Sequence, residues 1–152
     1  MTMLWDASWN VGIDVIDAQH KRIVEYINAL ETAITHQQHA VIGQVLAQLT
    51  DYTESHFAFE ESLQQEVGYE YAIPHQATHK TFVARIKKYQ TRHDAGEDIA
   101  SQLHTMLSTW LVHHISRDDA AYVKAVHESM RHVLSNTKED GWLKRSLKRF
   151  FG

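Results

Sequence analysis

Seven residues carry the chemistry this sequence can offer: His20, His56, Glu60, His75, His79, His114 and Asp119. Five are imidazoles and two are carboxylates, and they stand where helices would otherwise keep apolar core residues. Polar groups in a core need partners, and metal is the partner that fits all seven. Two spacings carry most of the signal. His56-x-x-x-Glu60 and His75-x-x-x-His79 are i,i+4 pairs, so each pair projects from one helix face a turn apart. Imidazoles with only two carboxylates suit iron, copper or zinc better than calcium or magnesium.

The elements that must position these donors are helical. Residues 1–16 read as an irregular arm with Trp5, Trp9 and Gly12, and Asp17 is the expected N-cap of the first helix. Helices are expected at roughly 18–37, 40–65, 74–92 and 97–115 from apolar residues at helical spacing. Pro74 suits the first turn of the third, and Asp94-Ala95-Gly96 reads as a turn. Four amphipathic helices with short connections make an all-α, antiparallel up-down-up-down bundle. His20 then lies near the start of the first helix, His56 and Glu60 near the end of the second, His75 and His79 at the start of the third, and His114 at the end of the fourth. An antiparallel bundle brings those four positions to one end. Tyr122, Val123, Val126, Met130 and Val133 suggest a further helix, and residues 138–152 one more.

Composition bounds the answer. The chain has 152 residues, six Gly and one Pro, which is one helical domain of ordinary size. It has no cysteine, which removes disulfides, Cys-ligated zinc, iron–sulfur clusters and thiol catalysis. No signal peptide is visible at Met1–Asp6, no apolar run reaches membrane-spanning length, and a cytoplasmic location is expected. The net charge is −4, from 15 Lys+Arg against 19 Asp+Glu. Lys144, Arg145, Lys148 and Arg149 give residues 142–152 a charge of +4, so the rest sums to −8. A mostly acidic domain argues against nucleic acid as a partner.

Most of the 12 histidines are better read as surface or satisfied core residues. His36, His39, His93, His104, His113, His127 and His132 are read so. His114 is preferred to His113 because it continues the stripe of Leu103, Leu107, Trp110 and Leu111. Glu61 is read as a solvated charge beside Glu60. A zinc hydrolase fits poorly: no His-Glu-x-x-His occurs, and seven donors exceed what one zinc takes. A ferritin-like di-iron oxidase needs Glu-x-x-His on two helices, and none is present.

The residues resemble the hemerythrin family, specifically its single-domain bacterial members. The resemblance runs from about Trp5 to Tyr122. It rests on Trp9, Val11-Gly12-Ile13, Ile16-Asp17-Ala18-Gln19-His20-Lys21, Asn28, His56-Phe57-Ala58-Phe59-Glu60-Glu61, Gly68-Tyr69, His75-Gln76-Ala77-Thr78-His79 with Phe82, Trp110 to Ile115, and Asp119 to Tyr122. It implies a non-haem di-iron centre with an oxo or hydroxo bridge. His75, His79 and His114 would hold one iron, His20 and His56 the other, and Glu60 and Asp119 would bridge them. The second iron would then have an open position for molecular oxygen. Ile23, Phe57, Phe82, Trp110 and Leu111 are the expected walls of that oxygen pocket, and all five also suit plain core.

The expected function is reversible oxygen binding, for storage, delivery or sensing, by a monomer that is not an enzyme. A di-iron peroxidase, oxidase or nitric-oxide-handling enzyme on the same scaffold is the alternative, and a signalling module a third. The expected division is a di-iron domain over 1–134 and a basic tail over 135–152. Leu143, Leu147, Phe150 and Phe151 form one apolar stripe if helical. Such a segment suits weak contact with a membrane or a protein through residues 138–152. It suits equally well docking back on this domain's own acidic surface.

Overall fold

The computed structural model describes residues 2–119, 122–123 and 142–152; for 117–119, 142 and 143 it describes the backbone alone. Four long helices form the bundle: α1 (Asp14–Thr35), α2 (His39–Glu66), α3 (Ala72–Asp94) and α4 (Ala100–His113). A 3-10 turn at Ala7–Trp9 precedes them. A π-helical turn at His114–Asp119 continues α4, and a short α5 (Trp142–Phe151) closes the chain. α1 packs on α2 and α4, and α2 packs on α1 and α3. This is the expected antiparallel order, and no strand occurs among the described residues.

Each helix buries one stripe. On α1 it is Ile16, His20, Ile23, Val24, Ile27 and Leu30, and on α2 it is Leu46, Leu49, Thr53, His56, Phe57, Glu60 and Leu63. A buried Leu, Ile or Phe contributes roughly 1.5–3 kcal/mol by leaving water, so these stripes hold the bundle together. Two apolar clusters result. One runs through Ile27, Leu30, Leu46, Leu49, Ile86, Leu103 and Leu107; the other gathers Ile13, Ile16, Phe59, Leu63 and Tyr122.

The arm is tied down rather than loose. Asn28 accepts from Met3 N at 2.8 Å and donates to Met3 O at 2.9 Å. Asp17 is not the N-cap expected of it. α1 starts earlier, capped by Ile13, and Asp17 in its first turn accepts from Val11 N at 2.8 Å and Gly12 N at 3.3 Å. The acidic side chain still satisfies backbone donors near a positive helix end, but they are the arm's own. α2 ends at Gly68, whose φ of +66° lets the chain reverse so that Tyr69 N donates to Gln64 O at 2.9 Å.

Two open readings are decided. His93, read as either a surface or a satisfied core residue, is the latter: it is buried and stacks on His39 at 3.9 Å. Gly43 leaves that ring its room, since a Cβ there would stand 3.0 Å from His93 Nε2. The tail stripe is turned inward: Leu147 and Phe150 pack on the second cluster, and the Phe151 ring lies 5.4 Å from Tyr52 and 6.1 Å from Phe59. Lys144, Arg145, Lys148 and Arg149 face solvent. The reading in which the stripe docks on its own domain is the one the structure shows. The expected helix through Val126, Met130 and Val133, and the boundary at 134–135, lie outside the described residues. No described helix is long and apolar enough to cross a membrane.

Candidate metal centre

Glu60 is the hub of the site. It is fully buried and receives imidazoles from three helices. Its Oε2 lies 3.0 Å from His56 Nε2 and 3.6 Å from His114 Nε2, while its Oε1 lies 3.4 Å from His75 Nε2 and 3.5 Å from His79 Nε2. The two i,i+4 spacings do what was expected of them, placing the α2 and α3 donors on facing stripes. His20 joins from α1, its ring 4.9 Å from His56 and 5.5 Å from His114.

Two groups of donor atoms close enough to share an ion emerge. His20, His56, Glu60 and His114 form one; Glu60, His75 and His79 form the other, and Glu60 belongs to both. His114 belongs to the first group by its donor atom, Nε2 lying 3.4 Å from His56 Nε2, although its ring centroid is 5.6 Å from both His56 and His79. His113 is exposed, as the helical stripe requires. Of Asp119 only the backbone is described, so its expected ligand role lies outside the described side chains. The backbone there is informative all the same. In an α-helix five residues advance about 140° past a full turn, which would carry position 119 away from 114. The π-helical turn His114–Asp119, with its i→i+5 bonding, winds more slowly per residue and so keeps position 119 nearer to the side of 114 than an α-helix would.

The rings are oriented from behind. His56 Nδ1 donates to Gln19 Oε1 at 2.6 Å, the Gln64 amide meets His75 Nδ1 at 3.0 Å, and His79 Nδ1 donates to Glu61 Oε1 at 3.1 Å. On His56 and His79 an acceptor at Nδ1 leaves Nε2 turned toward Glu60, which is the arrangement metal-ligating histidines use; on His75 the contact at Nδ1 is the Gln64 amide nitrogen. Sequence reasoning missed these three residues and took Glu61 for a solvated charge. A usable signal existed for Gln64, which follows Glu60 by four and so continues the buried stripe.

Protonation suits cation binding. Burial pushes the His56 imidazole down to about 4, against the pull of Glu60. Burial alone would raise the Glu60 carboxyl, but the His114 and His56 rings around it hold it well below the usual carboxylate range. A neutral ring beside an anionic carboxylate is the state that ligation needs. The His79 ring is disfavoured as a cation by burial, yet its bonds to Glu60 and Glu61 raise it overall.

Aromatic rings enclose the cluster. Phe57 stacks on His79 at 3.8 Å, Trp110 on His114 at 4.8 Å, and Phe82 on Trp110 at 3.7 Å. Ile23 and Leu111 belong to the same apolar cluster, both almost fully buried. Tyr122, wholly buried, sets its ring 5.5 Å from His75. On the α3–α4 side a groove of about 760 Å³, lined by Arg85, Met106, Trp110 and His113, reaches His114.

Comparison with known proteins agrees with this geometry. The family model described as the hemerythrin HHE cation binding domain matches residues 11–126. The chain is 49% identical over 150 residues to a bacteriohemerythrin of Pseudomonas paraeruginosa, covering 99% of this chain and 98% of that one. It is 47% identical, with the same coverage, to a bacteriohemerythrin of Stenotrophomonas maltophilia. These relatives match the basic tail region as well as the bundle. The crystal structure of wild-type hemerythrin superposes with a TM-score of 0.78 at 29% identity, covering 83% of this chain and 98% of that one.

Proposed function

The chain belongs to the hemerythrin family of HHE cation-binding domains, and on that premise we propose that it binds oxygen reversibly at a pair of non-haem iron ions. The assignment is His75, His79 and His114 to one ion, His20 and His56 to the other, and Glu60 and Asp119 as bridges together with an oxo or hydroxo group. When bound, the iron pair supplies two electrons and an open coordination position, the chemistry that oxygen uptake requires.

The observation that carries this reading is the division of Glu60, whose two oxygens face different imidazole pairs. One carboxylate serving two groups is a bridge. Five imidazoles cannot divide evenly between two ions, so one ion is left with fewer ligands. The resemblance assigns that deficit to the His20–His56 side. His114, whose donor atom groups with His20 and His56, is given to His75 and His79 by the resemblance alone.

The chain's own residues do the rest. Gln19, Gln64 and Glu61 fix the rings so that Nε2 faces the ions. Phe57, Phe82, Trp110, Ile23 and Leu111 wall an apolar pocket that admits oxygen and excludes water. Neutral imidazoles give less anionic charge than a carboxylate-rich site for stabilising highly oxidised iron, which favours release over catalysis. In this reading the chain works as a monomer for storage, delivery or sensing, and its cysteine-free composition suits a reducing cytoplasm.

Stopped-flow mixing of the anaerobically reduced protein with oxygen tests the reading. The optical change should appear at once and reverse when oxygen is removed. A protein that holds a single zinc, or one that consumes oxygen irreversibly at each cycle, would overturn it.

A further inference from the structure

The partners behind the imidazoles are not equivalent. Gln19 and Gln64, which meet His56 and His75, are neutral amides; Glu61, which meets His79, is a carboxylate. Consecutive residues of α2 therefore hold both nitrogens of one ring. Glu60 Oε1 lies 3.5 Å from His79 Nε2, and Glu61 Oε1 lies 3.1 Å from His79 Nδ1. Phe57, one turn before Glu61, fixes the ring face by a near-parallel stack, tilted only 5°.

Glu61 is also the partner with access to water. Its side chain is 23% exposed, and it lines a groove of about 420 Å³ between α2 and α3 with Glu54, Phe57, Gln76 and Lys80. Gln19 and Gln64 are buried. A carboxylate there could have turned to solvent, as an exposed charge on a helix does, yet it meets the ring edge.

We propose that Glu61 is a positioning residue of the metal centre, holding the His79 proton on Nδ1 and making its Nε2 a stronger donor than the imidazoles backed by glutamine. A charged acceptor forms the stronger hydrogen bond and draws the Nδ1 proton, which raises the electron density that Nε2 offers to an ion. The ion held by His79 is then bound more tightly and is harder to reduce than it would be with an amide in that place.

The inference rests on the di-iron reading, and its test separates the two. Wild type, Glu61→Gln, Glu61→Ala and Gln64→Ala are compared as full-length, iron-loaded protein. Three quantities are read: iron retained against a ferrous chelator, the midpoint potential, and the exchangeable Nδ1–H proton resonances of the ligand rings in the reduced form. Loss of an outer partner weakens a metal site by about 10–100-fold. Glu61→Ala should fall in that range, lose one ring N–H resonance and have a raised potential. Glu61→Gln, which keeps an acceptor but not the charge, should recover the resonance and most of the affinity while keeping the raised potential. Wild-type affinity and potential in both Glu61 variants would overturn the proposal. If wild type holds a metal other than two irons, the di-iron reading fails, and the same affinity ratio measured with that metal still decides the role of Glu61.

Discussion

His56 and Glu60 stand one turn apart on α2 with Nε2 and Oε2 3.0 Å from each other, and neither side chain has any exposure. An isolated pair of this kind gives the fold little, because removing both groups from water costs more than their attraction returns. Its value lies in the ion it can hold, and the cost should be visible when the ion is gone.

The first prediction is therefore acid lability of the iron-free chain. His56 is held down to about 4 by burial, below the roughly 6.5 of an unfolded histidine. As pH falls below about 6.5, the unfolded chain takes a proton that the folded one refuses, so stability declines until about pH 4. Glu60 works in the same direction, because its depressed carboxyl contributes stability above the unfolded value near 4.3 that is lost at still lower pH. The decline from His56 is on the order of 3 kcal/mol. Urea melts at pH 7 and pH 4.5 measure it, and His56→Gln should flatten the dependence. A flat profile in the unaltered chain would refute this account.

The second prediction concerns stoichiometry. The purified protein should carry two irons per chain, and His79→Ala or His114→Ala should lose most of them. His79 faces Glu60 Oε1 and His114 faces Oε2, and the assignment gives both rings to one ion, so each variant removes a ligand of that same ion. Metal analysis by mass spectrometry gives the count. Full iron in both variants would reject the assignment.

How far the sequence spoke is clearest at this cluster. The i,i+4 spacings on α2 and α3 were legible because a helical period fixes their direction whatever the tertiary detail. His114 was separable from His113 by the same period. The outer partners were not legible, because whether Gln19 or Glu61 meets a ring depends on the register between helices. The turn at His114–Asp119 was hidden for a related reason. Helical periodicity alone does not show where an α-helix widens into π-helical winding. Asp17 shows the limit of capping rules: an acid near a helix start satisfies backbone donors, and which donors depends on where the arm lies.

The third prediction concerns the pocket. Ile23→Thr or Leu111→Thr should speed oxidation of the oxygenated state at unchanged iron content. Both side chains are almost wholly buried in the apolar cluster that holds Phe57 and Phe82, so a hydroxyl there gives water a foothold beside the ions. Each change also costs roughly 1–3 kcal/mol of stability, so oxidation is compared well below the melting temperature. Decay rates equal to the wild type would mean that these two residues serve packing alone.

The last prediction concerns α5. Leu147 and Phe150 pack on the cluster of Ile16, Phe59 and Leu63, and Ser146 is buried, so the middle of the apolar stripe is already covered. Truncation after Asn136 should expose that cluster and lower the melting temperature. Phe150→Ala alone should cost about 3–5 kcal/mol if the ring is buried as a core phenylalanine is, and less for its partial exposure. Iron content should survive both changes, because among the described residues no side chain of α5 belongs to the donor groups. Four exposed cations on a helix whose Leu147 and Phe150 are packed inward make a weak anchor. Full-length and truncated chains should therefore sediment equally, and poorly, with anionic liposomes at physiological salt. Strong sedimentation of the full-length chain alone would show that α5 leaves the bundle for a lipid surface, and that its docked position is one of two.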